Sequence, residues 1–216
     1  DVMHEDTCDE ITLSVSKIFL GVNLECVSCH DGADHLENIN LGLSKITRRE
    51  FWQQAAFFGN IRVFRGDPPN GIDYVLLDGP SLRPERIWQG GIAHFKFSSP
   101  TTAAGGLGYR MEAPSVIRIP RDRNENVHPQ YFMNGEQPAQ GTNPRHELAR
   151  MLTADFQFAK ATVNLFWSKL MTVGIVDPPF EWDLDRQDPE NPPPAPWTIQ
   201  PSHPELLDAL ARDFQD

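Results

Sequence analysis

Cys26-Val27-Ser28-Cys29-His30 sets two thiols on either side of a two-residue spacer, with an imidazole immediately after the second. That spacing is the attachment signature of a c-type haem. Each thiol can bond one vinyl group of a porphyrin, and the adjacent histidine then lies under the iron as its proximal ligand. Three other chemistries fit part of the pattern. A thioredoxin-like redox pair wants a strand before the motif and a helix opening at it; Phe19–Leu24 offers a strand, but Asp31-Gly32 breaks the following helix almost at once. A zinc site drawn from Cys8, Cys26, Cys29 and His35 has legitimate ligand types and no regular second half. A disulfide between Cys26 and Cys29 closes a very small, strained ring. The residues favour one covalent haem c on Cys26 and Cys29, with His30 as the proximal iron ligand.

The sixth coordination position separates a carrier from a catalyst. A Met or His there gives an electron-transfer haem, and an open position permits peroxide or small-gas chemistry. His35 is the distal candidate nearest in sequence, although five residues is a short reach around a porphyrin edge. Met111, Met133, His94 and His128 lie in a loop-rich stretch able to fold over the open face. Their ordinary readings are core filler for Met and solvated surface for His. Arg48 and Arg49 are placed to neutralise propionates, or simply to be exposed at a helix start. Asp183 and Asp185, near Glu181, are carboxylates for calcium or catalysis, against a plain reading as solvated charges. No catalytic residue is assigned: nucleophile elbow, P-loop, dinucleotide fingerprint and zinc-protease helix are all missing from the sequence.

The elements that must position the motif can be read from caps and periodicity. A helix over Asp6–Leu20, capped by Asp6 or Thr7 and stopped by Gly21, delivers the chain to Cys26, with Ile11, Val15, Ile18 and Phe19 on its apolar face. Asp31–Asn40 is loop. Thr47 with Glu50 three residues later forms a capping-box pattern for a helix over Thr47–Phe58. Its Phe51, Trp52, Ala55 and Phe58 would either wall a porphyrin or form an ordinary core face. Ile61–Phe64, Tyr74–Leu77, Ile92–Phe97 and Val116–Ile119 are short strand candidates, Thr101–Gly108 a surface loop and Pro120–Gly141 loop. Asn143-Pro144 opens a helix carrying Leu148, Met151 and Leu152. Asp155 opens another over Phe156–Val173, with Phe158, Ala161, Thr162, Leu165, Phe166, Lys169 and Leu170 along it and Gly174 ending it. Asp188–Pro204 is proline-rich and extended, and Pro204–Phe214 is a last helix. The expected fold is mainly α with extensive loops and a small β appendage around a haem. Its regions are residues 1–60 (helical, haem attachment), 61–141 (loops and short strands) and 142–216 (helices and the proline tract), together one compact unit.

Composition bounds the partners. The formal charge of −11 over 216 residues repels nucleic acid and anionic membrane surfaces and suits a basic redox protein. No apolar run reaches the length of a membrane span. The chain begins at Asp1, so a processed or truncated product is expected. Haem attachment machinery in bacteria works outside the cytoplasmic membrane, which places the protein in the periplasm or outside the cell. There the odd Cys8 is expected to be buried.

The stretch Phe19-Leu20-Gly21-Val22-Asn23-Leu24-Glu25-Cys26-Val27-Ser28-Cys29-His30-Asp31-Gly32, followed by Phe51-Trp52-Gln53-Gln54-Ala55-Ala56-Phe57-Phe58, resembles the domain of unknown function in planctomycete-type cytochrome c proteins. Asn143-Pro144-Arg145, Phe158 to Trp167 and Gly174 to Pro179 resemble the start of the second domain of the same family, so the chain looks like an internal segment spanning both. The resemblance implies an exported haem protein and no particular reaction. One departure stands out: many members follow Cys-His with Asp-His-Pro, whereas here Asp31-Gly32-Ala33-Asp34 moves the second histidine out to position 35.

These readings converge on an exported single-haem cytochrome or cytochrome domain in electron transfer. The alternatives are a haem-stapled structural subunit of a larger multi-subunit extracellular assembly and a peroxidase-like oxidative module.

Overall fold

The computed structural model describes residues 4–66, 73–78, 84–89, 92–97 and 127–215, with side chains over 7–61 and 127–215. The described chain is mainly helical. Helix α1 spans His4–Leu20, α2 Glu25–Cys29, α3 Leu41–Ser44 and α4 Arg48–Ala55, which runs on into a 3₁₀ turn at Ala56–Phe58. Helices α5 (Pro144–Ala154), α6 (Phe156–Met171) and α7 (Pro204–Gln215) follow, with a 3₁₀ turn at Leu184–Arg186 before α7.

Local chemistry explains most of the boundaries. Thr47 and Glu50 close the expected capping box, the Thr47 side chain accepting from Glu50 N and the Glu50 carboxylate from Thr47 N, worth about 1 kcal/mol. Asn143 accepts from Arg145 N at the start of α5, and Asp155 from Gln157 N at the start of α6. Gly21 ends α1 at φ +72°, and a Cβ there would stand 2.3 Å from Trp182 Cδ1. α1 begins earlier than its expected Asp6 or Thr7 cap.

Two expectations need correction, the outer half of the α1 face and the end of α6. On α1, Ile11 and Val15 pack half-buried against the core as expected, but Ile18 and Phe19 lie outside, and the wholly buried residues are Cys8, Asp9, Thr12, Ser16 and Leu20. On α6 the buried residues are Gln157, Ala159, Ala161 and Asn164, and Phe166 and Leu170 are 64% and 77% exposed. The reason is polar: Gln157 donates to Leu20 O (2.7 Å), and Asn164 both donates to Val176 O and accepts from Val176 N (2.9 Å each). α6 ends at Thr172 in the left-handed region, not at Gly174; Gly174 is needed because a Cβ would meet Val176 O at 2.2 Å. Residues 31–40 are loop, and α3 follows directly, because Asn40 caps it and a distant carboxylate, Asp183, holds its first amides.

The core gathers Leu20, Val22, Leu24 and Val27 with Phe51, Phe57, Tyr131, Trp182 and Leu207. Cys8 is wholly buried, its thiol donating to Phe58 O at 3.3 Å. Two antiparallel strand pairs are described: β1 (Ile61–Gly66) with β2 (Asp73–Asp78), and β3 (Pro84–Gln89) with β4 (Ile92–Phe97). β3 escapes a pattern search because it opens on Pro-Glu-Arg. Thr101–Gly108 and Val116–Ile119 lie outside the described residues. Residues 127–143 are irregular, as is most of 188–203, where Arg186 lies over the Trp197 ring.

Candidate functional site

α2 is barely more than one helical turn, and it presents Val27 and Ser28 inward and Cys26 and Cys29 outward. Both outer cysteines are free thiols. At His30 the backbone swings to φ −148°, ψ 167°, which ends the helix and throws the imidazole off its end. His30 Nδ1 then lies 2.7 Å from its neighbour's carbonyl, Asp31 O. A protonated Nδ1 donating there leaves Nε2 with its lone pair outward, the tautomer a metal needs.

Long-range contacts hold the turn. Trp182 N donates to Gly21 O, and Asn40 donates through its side chain to Trp182 O. Trp182 is fully buried, on the order of 5 kcal/mol of transfer free energy. Asp183, also buried, accepts from Leu41 N and Gly42 N, and Asp185 pairs with Lys45. Asp183 is therefore structural, Asp185 is half-exposed, and among the described residues neither gathers with other carboxylates for calcium. Glu181 accepts from Asn23 and acts on Cys26 through space. Below the motif, Gly32 N donates to Ile46 O, and a Cβ on Gly32 would meet Leu43 O at 1.9 Å. A side chain at position 32 would therefore force the loop apart.

The electrostatics argue against a thioredoxin-like pair. Partial burial, then the Glu25 and Glu181 carboxylates and Cys29, push the Cys26 thiol above its ordinary value, whereas a redox-active pair depends on a depressed one. No strand precedes the motif either: α1 runs to Leu20 and residues 21–24 are irregular. The zinc set is not assembled, since Cys8 lies in the core and, among the described residues, no three His, Cys, Asp or Glu side chains converge.

The remaining candidates separate clearly. His35 is exposed and meets His30 edge to face, ring centroids 4.7 Å apart. His128 is exposed and Met133 packs half-buried against the core; the side chains of His94 and Met111 lie outside the described residues. Phe51, Ala55 and Phe58 are core residues rather than a porphyrin wall. Arg49 is exposed, but Arg48 is buried, its Nε donating to Ser28 O at 3.1 Å and its guanidinium 4.8 Å from the Trp52 ring centre. Nothing local in the sequence marks that arginine as internal. A polar cleft of about 140 Å³ between α4 and residues 130–135 contains none of the motif and is well below the roughly 300–1,000 Å³ of cofactor pockets.

Two exposed free thiols on one helical turn, followed by an imidazole with its Nδ1 already engaged, suit a porphyrin held by covalent anchors at a surface. No helix among the described residues is long and apolar enough to cross a membrane. Compared with protein-family models, with curated proteins and with solved structures, the chain finds no match.

Proposed function

We propose that this chain is an exported single-haem c-type cytochrome, or a domain of one, that carries electrons. The observation that supports this reading is the pairing of two outward-facing free thiols with the Nδ1-anchored imidazole of His30. A haem at this position supplies reversible one-electron exchange at its iron. Cys26 and Cys29 would hold it through two thioether bonds to its vinyl groups, which form by net addition of each S–H across a vinyl double bond. His30 would offer Nε2 to the iron, its Nδ1 held by the carbonyl of Asp31. The charge of −11 suits transient docking with a basic redox protein. Attachment of haem to thiols implies assembly in the periplasm or at the cell surface.

A second reading, a haem-stapled subunit of a larger extracellular assembly, draws on the exposed Phe166, Leu170, Met171 and Val173 at the end of α6, an apolar surface of the kind that partners cover. One set of measurements separates the readings. The chain is matured with haem attachment machinery and examined by intact mass, pyridine haemochrome and electron paramagnetic resonance. One covalent haem with low-spin iron is expected of the carrier. Absence of covalent haem overturns both readings, and high-spin iron with an exchangeable water points to the oxidative module. A concentration-dependent large species on gel filtration favours the assembly.

A further inference from the structure

Helix α4 grips the attachment turn on both sides of His30. Its first residue, Arg48, donates through Nε to Ser28 O (3.1 Å), two residues before the imidazole. The backbone amide of the same residue donates to Asp31 Oδ1 (2.7 Å), one residue after it. Asp31 in turn offers its carbonyl to His30 Nδ1 at 2.7 Å. The Asp31 carboxylate sits at the N-terminal end of α4, where unpaired amides and the helix dipole favour a negative charge. Arg48 is internal, with Trp52 beneath its guanidinium. A planar, multiply donating cation can satisfy a carbonyl and stack on an aromatic face at once, which an ammonium does less well.

We infer that Arg48 and Asp31 are positioning residues for the proximal imidazole, a paired strap from α4 that fixes the Asp31 carbonyl against His30 Nδ1 and so sets the orientation and basicity of the iron ligand. The inference rests on the haem reading above and extends it to residues outside the CxxCH motif. Partners that hold a ligating histidine through its second nitrogen typically change metal affinity or activity 10–100-fold when lost. A tighter Nδ1 hydrogen bond makes the imidazole a stronger donor and favours the oxidised iron. Loosening it should shift the reduction equilibrium toward the reduced form by about tenfold, ~59 mV for one electron.

The test uses the haem-loaded chain with Asp31→Ala, Asp31→Asn, Arg48→Met and Arg49→Met. Three readouts are taken: covalent haem by mass, midpoint potential, and the g values of the low-spin ferric iron by electron paramagnetic resonance, which respond to the strength and orientation of the axial imidazole. Asp31→Ala and Arg48→Met are expected to keep their haem yet shift and broaden the g-value pattern, with the potential raised in Asp31→Ala. Asp31→Asn, which keeps an acceptor oxygen, should stay close to the parent, as should Arg49→Met, which removes an exposed charge next door. Because Asp31 is exposed, Asp31→Ala decides the matter even where the buried Arg48→Met fails to fold. Parental g values and potential in Asp31→Ala overturn the inference, and so does an equal change in Arg49→Met. A parent chain without covalent haem instead overturns the haem reading itself, so the two failures are distinguishable.

Discussion

The imidazoles of His30 and His35 meet edge to face with ring centroids 4.7 Å apart. Two histidines that ligate one iron from opposite faces have the metal and the whole porphyrin plane between them. At 4.7 Å there is no room for that plane, so with His30 under an iron as proposed, His35 would stand beside it on the same side. Its neighbours hold it there: Asp34 adopts a left-handed φ of 65°, and its amide donates to Glu37 Oε1 at 2.6 Å.

His35→Ala should therefore leave the sixth coordination position as it was. The expected result is a parental absorption spectrum and no new carbon monoxide binding by the reduced protein. Appearance of an open, carbon monoxide-accessible site in this variant would show that the loop rearranges and that His35 crosses to the far face.

Attachment and ligation are separable at Cys29 and His30. Cys29→Ser leaves at most one thioether, so covalent haem measured by mass and pyridine haemochrome should fall sharply. His30→Ala keeps both anchors; haem content should hold while the iron, without its strong proximal donor, turns high-spin. Parental haem content in Cys29→Ser would remove the motif as the attachment site.

The parts of the structure legible in the sequence are those fixed by neighbours along the chain. Thr47 with Glu50, Asn143 with Pro144, and Asp155 all cap within three residues, so the helices they open can be placed without tertiary knowledge. The CxxCH turn is legible for the same reason. What stays hidden depends on partners far away. Asp183 caps α3 from about 140 residues downstream, and Arg48 is buried by Ser28 O and Trp52 rather than by any property of its own surroundings in sequence. The inward side of α6 is equally hidden, because Gln157 and Asn164 turn inward to backbone groups of Leu20 and Val176.

Gly21 joins α1 to the attachment turn at a point where Trp182 lies against the backbone. Gly21→Ala places a Cβ 2.3 Å from the indole and holds a non-glycine residue at φ +72°. The left-handed conformation alone costs about 1–2 kcal/mol, and displacing a buried tryptophan adds to it. A loss of at least ~2 kcal/mol is expected, a fall in Tm of roughly 4–8 °C for a chain of this size, read by thermal unfolding. An unchanged Tm would mean that Trp182 gives way freely and does not clamp the turn.

Tyr131 is fully buried, and its hydroxyl donates to Asp155 Oδ2 at 3.1 Å while the other oxygen of that carboxylate caps α6. Burial first, and then the Asp155 charge and hydrogen bond, raise the phenol well above its ordinary value of 10.0. Folding thus favours the neutral phenol. Its contribution is fully present below 10.0 and is lost as the pH climbs past that value toward the raised one, because the unfolded chain ionises first. Tyr131→Phe removes the titrating group and should lose about 1 kcal/mol at neutral pH. The stability gap between parent and variant should then narrow above about pH 10, at up to ~1.4 kcal/mol per pH unit. Denaturant unfolding from about pH 8 to about pH 11 checks this; parallel curves across that range would mean that the phenol ionises as readily in the folded chain as in the unfolded one.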